Sequence, residues 1–358
     1  MMPPESSSTQ PLDRAAVAKV DPSDQIADVL SLPEQLRDAV FKVESAELPQ
    51  VDSPGGLLVA GMGGSGIGGR LARGILGDQA SRPILSAAGY SLPGWTTADT
   101  TVLCASYSGE TEETLASFEA AGIIGANRVV VTTGGTLAQA ARAEGVPVIP
   151  VAGGLQPRAA VAYMTVAALE VAAACGAGPR LTTEVDVAAD HLEQLAIEWG
   201  PDSDEDSAAK HLARAIYGTI PVIAGYGLTE AVASRWKTQI NENANQLAFA
   251  SVLPELDHNE IVGWGSAANF GRFSAVFLED SDDPQRISRR IELTSSLIAA
   301  DGGEVHTVSS SGQTAVERAF SLILMGDLVS TYLAICNRQD PADIGVITAL
   351  KSGLAEPE

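Results

Sequence analysis

Short apolar runs alternate with longer amphipathic stretches along most of the 358-residue chain. In the first half the apolar runs have the length of buried strands, and the predicted strands are Leu57–Ala60, Pro83–Ser86, Val102–Ser106, Val129–Thr132 and Val146–Val151. The stretches between them have helical spacing, with a long helix predicted at Ala159–Cys175. Strands that alternate with helices are typical of an α/β fold with a doubly wound parallel sheet.

The same alternation returns in the second half of the chain. Strands are predicted at Pro221–Gly225, Leu247–Val252, Phe273–Glu279 and Val305–Val308, and helices at Leu228–Asn243, Arg286–Ala300, Ala315–Cys336 and Ile344–Leu354. We therefore predict two similar halves, each a doubly wound parallel sheet flanked by helices. Polar residues interrupt the long apolar helix Ala315–Cys336, which argues against a membrane span.

Changes in composition suggest the domain boundaries. Residues 1–20 open with the Ser/Pro-rich stretch Met1–Gln10 and are predicted to be disordered. Residues 21–178 are predicted to form the first domain with its N-terminal helices, and residues 179–219 a polar, acidic helical connector. Residues 220–358 then form the second domain with its C-terminal helices.

The segment Gly55–Arg70 contains the first candidate ligand site. Its apolar run is followed by six glycines around Ser65 and then by an amphipathic stretch, which predicts a strand, a tight turn and a helix N-terminus. Such a turn presents backbone N–H groups and the positive end of a helix dipole to an anion. Glycine also lets a ligand approach the backbone closely. Gly64 and Ser65 are therefore candidate anion-binding residues.

Two nucleotide-binding signatures fit this turn poorly. Gly61-x-Gly63-x-x-Gly66 matches the dinucleotide fingerprint, but the next strand region, 83–88, lacks the acidic residue that would hold a ribose. The Walker pattern also fails, because no Gly-Lys-Ser/Thr follows. The serine within the turn points instead to a smaller phosphate ester, and a dinucleotide enzyme is the less favoured alternative.

A second group of hydroxyl side chains follows the third predicted strand. Ser106, Ser108 and Thr111 lie within six residues, just before a helix predicted from about Glu112. Helix capping would explain any one of them, but one helix needs only one N-cap. Ligands of parallel sheets bind beyond the carboxyl ends of the strands, so we expect both serine-containing loops to hold one phosphate.

Three charged residues are candidates for chemistry. Arg158 lies just beyond the fifth predicted strand, where an anionic ligand or intermediate could bind, although a surface ion pair is the commoner role. Glu242 lies in a polar helix end, where a glutamate is most often solvated, and His258 could belong to a simple helix cap. By the sequence alone, a catalytic role is the minority interpretation for Glu242 and for His258.

The charge balance limits the class of partner. With 45 acidic and 22 basic residues the net charge is −23, which argues against nucleic acid and anionic membranes. Cys104, Cys175 and Cys336 lie in apolar or alanine-rich runs without C-x-x-C spacing and are predicted to be buried free thiols in a reducing cytoplasm. No signal segment opens the chain, and the four histidines are too scattered for a metal cluster.

Together these motifs resemble a known family. Three segments resemble the sugar isomerase (SIS) fold: Gly61–Gly69, Ser106–Thr114 and Gln156–Arg158. Two others more specifically resemble the bifunctional phosphoglucose/phosphomannose isomerases of archaea and some bacteria: Gln239–Ala244 and Glu255–Glu260. The five motifs occur in the matching order between about Val51 and Lys351.

The resemblance implies two SIS domains and an aldose–ketose isomerase that converts glucose 6-phosphate, mannose 6-phosphate or both to fructose 6-phosphate. It implies a homodimer with active sites at the subunit interface, without metal or cofactor. Glu242 would be the base, His258 would open the sugar ring, often from the second subunit, and Arg158 would stabilise the enediolate. Lys351 would contact the sugar ring. The phosphate would be bound by Gly64, Ser65, Ser106, Ser108 and Thr111.

One position departs from the family pattern. The family often has Asp-Pro-Thr near its tail, with a nearby threonine shaping the space around C2 of the sugar, whereas this chain has Asp340-Pro341-Ala342. The departure affects the choice between C2 epimers rather than the reaction class. The main alternative function is a non-catalytic SIS-domain sugar-phosphate sensor, which is disfavoured because no output region such as a basic helix-turn-helix is apparent.

Overall fold

The computed structural model describes residues 10–354, and over this range the strands form two parallel sheets. The strands of the first sheet are β1 (Leu57–Gly61), β2 (Ile84–Ala87), β3 (Thr101–Ala105), β4 (Asn127–Thr132) and β5 (Val148–Pro150). Those of the second are β6 (Ile220–Gly225), β7 (Phe249–Val252), β8 (Phe273–Glu279) and β9 (Glu304–Ser309). The predicted α/β fold class is confirmed, and every predicted strand is present with small shifts at its ends.

Helices connect and cover the strands. They are α1 (Arg14–Val20), α2 (Gln25–Leu30), α3 (Leu32–Ser45), α4 (Gly63–Leu76), α5 (Glu112–Ile124), α6 (Gly135–Ala143), α7 (Val161–Ala174), α8 (Thr182–Trp199), α9 (Ala208–Ile216), α10 (Leu228–Ala244), α11 (Ile261–Trp264), α12 (Gln285–Ala300), α13 (Ala315–Asn337) and α14 (Gly345–Leu354). Helices α8 and α9 lie in the segment between the two sheets, where a helical connector is predicted.

The prediction of disorder for residues 1–20 is wrong for α1. Asp13 caps this helix by accepting a hydrogen bond from the Ala16 N–H at 2.8 Å. Leu12, Ala16 and Val17 are buried in the hydrophobic core, so their burial outweighs the polar composition that precedes them. Residues 1–9, which carry most of the Ser/Pro-rich stretch, lie outside the described residues.

Both sheets change direction at their opening strand. The strand order is β2-β1-β3-β4-β5 in the first sheet and β7-β6-β8-β9 in the second, and all neighbouring strands are parallel. In each sheet the chain moves first to one side of the opening strand and then to the other. Ligands of doubly wound sheets bind in the crevice that this reversal leaves beyond the carboxyl ends of the strands.

A layer of helices joins the two sheets. Alternate residues of β1, such as Val59, face a large core that includes α4, α7, α10 and α13, whereas Leu58 faces a smaller core with α5 and α6. Ile223 of β6 belongs to the large core as well, and Ala224 faces α12 on the other side of the second sheet. The two halves therefore share one hydrophobic core through the helices between them.

Helix α13 is long and apolar enough, by length and composition alone, to cross a membrane. Its residues from Val316 to Cys336 are all buried within the protein, as in the core helix of a globular fold. The polar residues that interrupt it are paired there: Arg318 bonds Asp280 at 2.7 Å, and Asp327 bonds Arg235 at 2.6 Å. The burial of its residues, more than the polar interruptions in its sequence, therefore indicates that α13 is a core helix.

The three cysteines are free and buried, as predicted. Burial raises the pKa of the Cys104 thiol to about 12 and that of Cys336 to about 11. Both thiols therefore stay protonated at neutral pH and behave as small apolar side chains.

The contact between α10 and α13 leaves no room for a side chain at Gly326. A Cβ atom there would lie 2.2 Å from Nε1 of Trp236, which is fully buried and donates to the Leu322 carbonyl at 2.8 Å. We expect Gly326→Ala to lower the free energy of unfolding by about 1–3 kcal/mol because the indole must move. Denaturant unfolding measures the change, and Gly353→Ala, where nothing lies within 4 Å of the added Cβ, is the control. Equal stability of Gly326→Ala and the wild type would contradict this packing.

Candidate active site

The reversal at β1 brings the two predicted phosphate loops together. Helix α4 begins at Gly63, two residues after the end of β1, so the predicted strand, turn and helix N-terminus are confirmed. Ser65 lies in the first turn of α4, and its Oγ accepts a hydrogen bond from the Tyr107 N–H at 3.0 Å. This bond joins the glycine-rich turn to the loop that follows β3.

The hydroxyl groups after β3 are organised around Ser106. Its Oγ lies 2.9 Å from Thr111 Oγ1 and accepts the Gly109 N–H at 3.1 Å. Ser106 is buried and Ser108 is exposed. Thr111 is the N-cap residue of α5, but its side chain makes no capping hydrogen bond. Capping of α5 therefore does not account for the Thr111 hydroxyl.

A close backbone contact places Arg158 beside the glycine-rich turn. A Cβ atom on Gly64 would lie 2.8 Å from the Pro157 carbonyl oxygen and 2.9 Å from Cα of Arg158. Contacts this short are incompatible with a side chain, so glycine at this position lets the turn before α7 pack directly on the start of α4. This close packing therefore explains the glycine at position 64 without reference to a ligand.

A cavity of about 300 Å³ lies between the two halves of the chain. The first half contributes the start of α4, residues 86–88 at the end of β2, and Arg158. The second half contributes one face of α10, including Gln239 and Glu242. The predicted base and the predicted intermediate-binding arginine therefore line the same cavity.

The guanidinium of Arg158 and the carboxylate of Glu242 face each other. Nη1 of Arg158 lies 3.7 Å from Oε2 of Glu242, and the two side chains are 4% and 30% exposed. Arg158 Nε donates to Asn243 Oδ1 at 2.7 Å, and Nη2 donates to the Pro341 carbonyl at 2.5 Å. Burial lowers the pKa of Arg158 and the Glu242 charge opposes that shift. Because an arginine pKa starts so high, the guanidinium stays charged at neutral pH.

A second buried ion pair, Arg235–Asp327, contacts the backbone of Arg158. Arg235 donates to Asp327 Oδ2 at 2.6 Å and to the carbonyl oxygen of Arg158 at 3.0 Å, and Gln239 donates to Asp327 Oδ1 at 3.0 Å. Burial raises the pKa of Asp327, whereas Arg235 acts to lower it. No role for these residues was predicted from the sequence. The sequence feature that could have revealed them is the spacing of Arg235, Gln239 and Asn243, which lie four residues apart on one face of α10.

Other predicted site residues lie outside this cavity. His258 is exposed at the end of the 3-10 helix Glu255–His258, and Lys351 is exposed on α14. Within residues 10–354, the residues that line the cavity include neither of these side chains nor the side chains of Ser65, Ser106, Ser108 and Thr111. The prediction that His258 acts from a second subunit stays a prediction.

The tail motif lies next to Arg158. The Asp340 side chain accepts the Ala342 N–H at 2.9 Å, which folds the motif into a turn. The turn presents the Pro341 carbonyl to the guanidinium, and Pro341 is buried. Ala342 therefore directly follows the residue whose carbonyl oxygen binds Arg158.

Over the described range, no three His, Cys, Asp or Glu residues are grouped as a metal site requires.

Comparison with known proteins identifies the family. The family described as bacterial phospho-glucose isomerase C-terminal SIS domain matches residues 205–354. The bifunctional phosphoglucose/phosphomannose isomerase of Caldicellulosiruptor bescii is 37% identical over 338 residues, which cover 92% of this chain and 98% of that protein. The chain belongs to the bifunctional phosphoglucose/phosphomannose isomerase family.

Further similarities agree with this assignment. The bifunctional phosphoglucose/phosphomannose isomerase of Aquifex aeolicus is 32% identical over 300 residues, 84% of this chain and 90% of that protein. The fold matches that of a hypothetical protein from Thermus thermophilus with a TM-score of 0.70 and 15% identity, over 96% of this chain and 94% of that chain. As a member of the phosphoglucose/phosphomannose isomerase family the protein is an isomerase with the SIS fold, and the resemblance seen in the sequence is confirmed.

The contact at Gly64 gives a test of how closely this isomerase depends on the position of Arg158. We expect Gly64→Ala to lower kcat/KM by about 10²-fold, because the methyl group separates α4 from Arg158 and misplaces the guanidinium. Gly94→Ala is the control, since nothing lies within 4 Å of a Cβ at that position. Steady-state kinetics and thermal unfolding are measured together. A folded Gly64→Ala variant with full activity would contradict the expectation.

Proposed function

We propose that the protein interconverts glucose 6-phosphate, mannose 6-phosphate or both with fructose 6-phosphate through an enediolate, without a metal ion. The observation that carries the proposal is the Arg158–Glu242 pair, which faces a cavity beyond the carboxyl ends of β1 and β2. The relatives' names supply the substrates: they are bifunctional phosphoglucose/phosphomannose isomerases. The buried free thiols support a reducing cytoplasm as the place of action.

Glu242 serves as the base in this proposal. Its carboxylate takes the proton from C2 of the open-chain aldose while the C1 carbonyl oxygen gains negative charge, which forms the enediolate. The proton of the C2 hydroxyl then moves to O1, so that the negative charge lies on O2. The same carboxyl group returns its proton to C1, and the electron pair on O2 forms the C2 carbonyl of the ketose. General acid–base catalysis of this kind contributes about 10²–10⁴-fold in rate.

Arg158 stabilises the enediolate. Its guanidinium is held by acceptors on two sides, and Nη1 points toward the carboxylate that moves the proton. A fixed cation in a largely buried position stabilises developing charge more strongly than mobile water does. The pair thus combines a base and an electrostatic partner within one cavity.

The phosphate is bound away from the reacting carbons in this proposal. Gly64, Ser65, Ser106, Ser108 and Thr111 lie on the two loops joined by the Ser65–Tyr107 hydrogen bond. Binding energy from the phosphate would hold C1 and C2 against Glu242. Helix starts and backbone N–H groups can bind the phosphate locally, although the net charge of −23 of the whole chain opposes an anion.

His258 is assigned to ring opening, from the partner subunit of a homodimer. Its exposure allows it to reach a neighbouring molecule, and an imidazole can both donate and accept a proton, as a proton shuttle between O1 and the ring oxygen requires. Lys351, exposed on α14, is assigned to the sugar ring region. The subunit contact and both assignments rest on the family resemblance.

Turnover of each sugar tests the proposal directly. Purified protein is incubated with glucose 6-phosphate or mannose 6-phosphate in excess chelator, and fructose 6-phosphate is measured. We expect product from at least one sugar, with rates unchanged by chelator. The ratio of the two rates also measures the preference of the protein between the two C2 epimers. Absence of turnover with both sugars would overturn the proposed function.

A further inference from the structure

The guanidinium of Arg158 is held on two sides by groups that do not react. Asn243 Oδ1 accepts from Nε at 2.7 Å, and the Pro341 carbonyl accepts from Nη2 at 2.5 Å. These two contacts leave Nη1 as the atom nearest Glu242. Asn243 and Pro341, which lie outside the cavity lining, therefore determine the orientation of the guanidinium plane.

Asn243 can hold Arg158 only if its amide oxygen, rather than its nitrogen, faces the guanidinium. Nδ2 of Asn243 donates to Ser330 Oγ at 2.9 Å, and Ser330 Oγ donates its own proton to the Asp327 carbonyl at 2.8 Å. Because that proton is already used, the Ser330 oxygen is an acceptor toward Asn243. A reversed amide would place donor against donor at the guanidinium and leave Ser330 without a donor. Ser330 thus fixes which way Asn243 faces.

Full burial makes this arrangement stiff. Asn243 and Ser330 have no exposed surface, and Asn243 directly follows Glu242 in α10. A buried amide that loses one partner is left with an unsatisfied polar atom, which costs about 1–3 kcal/mol. Alternative orientations of Arg158 are therefore disfavoured by groups on α10 and α13.

We propose that Asn243 is a positioning residue of the isomerase, oriented by Ser330, which turns Arg158 so that Nη1 faces Glu242 and the reacting carbons. This inference rests on the proposed function. It assigns no contact between Asn243 and the substrate, so the effect on kcat should exceed the effect on substrate binding.

Kinetics of two variants test the proposal. We expect Asn243→Leu to lower kcat by about 10²-fold and Ser330→Ala by about tenfold, because each loosens the guanidinium. KM for the hexose phosphate should stay within about threefold, since the phosphate contacts are untouched. In the double variant, Ser330→Ala should cause little further loss, because it acts through Asn243.

Thr331 offers a matched control. Its hydroxyl, like that of Ser330, is fully buried on α13 and donates to the Asp327 carbonyl at 2.8 Å. Thr331→Val removes that bond without touching Asn243, so kcat should be unchanged even if stability falls. If Ser330→Ala and Thr331→Val had equal effects on kcat, Ser330 would be merely structural and the proposal would be overturned. Should Asn243→Leu fail to fold, Ser330→Ala still decides the question.

A crystal structure separates failure of this inference from failure of the proposed function. If the wild type converts neither sugar, the proposed function is wrong, and the position of Arg158 in Ser330→Ala becomes the readout. A guanidinium turned away from Glu242 would support the positioning role. One that keeps its place beside Glu242 would overturn it, whatever the reaction.

Discussion

Glu242→Gln is expected to lower kcat for hexose phosphate isomerisation by about 10²–10⁴-fold, the largest change predicted for a single substitution. Glutamine has nearly the same size and can still accept a hydrogen bond, but its amide cannot take the C2 proton. Arg158 would keep its bonds to Asn243 and Pro341, so two of its nitrogen atoms stay hydrogen-bonded without the carboxylate. The loss should therefore fall on the chemical step.

Hydrogen exchange distinguishes that loss from a loss of binding. In deuterated water, the wild type should exchange the C2 hydrogen of the aldose with solvent, and Glu242→Gln should not, while calorimetry still detects sugar phosphate binding. Glu230→Gln is the control, since Glu230 lies on the same helix but lines a neighbouring cavity near Arg70. Exchange at the wild-type rate in Glu242→Gln would remove this residue from the role of base.

Arg158→Lys is expected to lower kcat by about 10²–10³-fold, although the positive charge is kept. A lysine ammonium is a point charge on a flexible stem and cannot reproduce the planar fork that meets Asn243, Pro341 and Glu242 together. The charge would therefore no longer be fixed where the enediolate forms.

Steady-state kinetics and thermal unfolding together measure the effect of Arg158→Lys. Arg73→Lys, at an exposed position of α4, is the control and should leave kcat unchanged. A folded Arg158→Lys variant with wild-type kcat would show that a positive charge alone is sufficient. The planar geometry of the guanidinium would then have no part in catalysis.

The fold was largely predictable because burial on one face of each element leaves a period in the sequence. The strand–helix alternation placed every strand of both sheets, and the glycine-rich turn marked the start of α4. Helix α1 was missed because the Ser/Pro-rich residues before it dominated the local composition, whereas Leu12 and Val17 are buried by residues far along the chain. Long-range burial of this kind leaves no local pattern.

The candidate site was predictable residue by residue but not as an arrangement. Arg158 and Glu242 were each singled out, yet no spacing indicates that residues from different halves of the chain line one cavity. The Arg235–Asp327 pair was not predicted, since a lone aspartate in an apolar helix has no visible partner in sequence. For His258, the family resemblance predicts a role that depends on a second molecule.

The hydrogen bond from Arg158 to the Pro341 carbonyl has a practical consequence for protein engineering. It makes the backbone just after α13 a part of the candidate active site, although α14 has no buried side chain of its own. A variant truncated at the end of α13 would lose this carbonyl oxygen and free one arm of the guanidinium. The candidate active site therefore extends along the chain beyond α13, the last helix of the hydrophobic core.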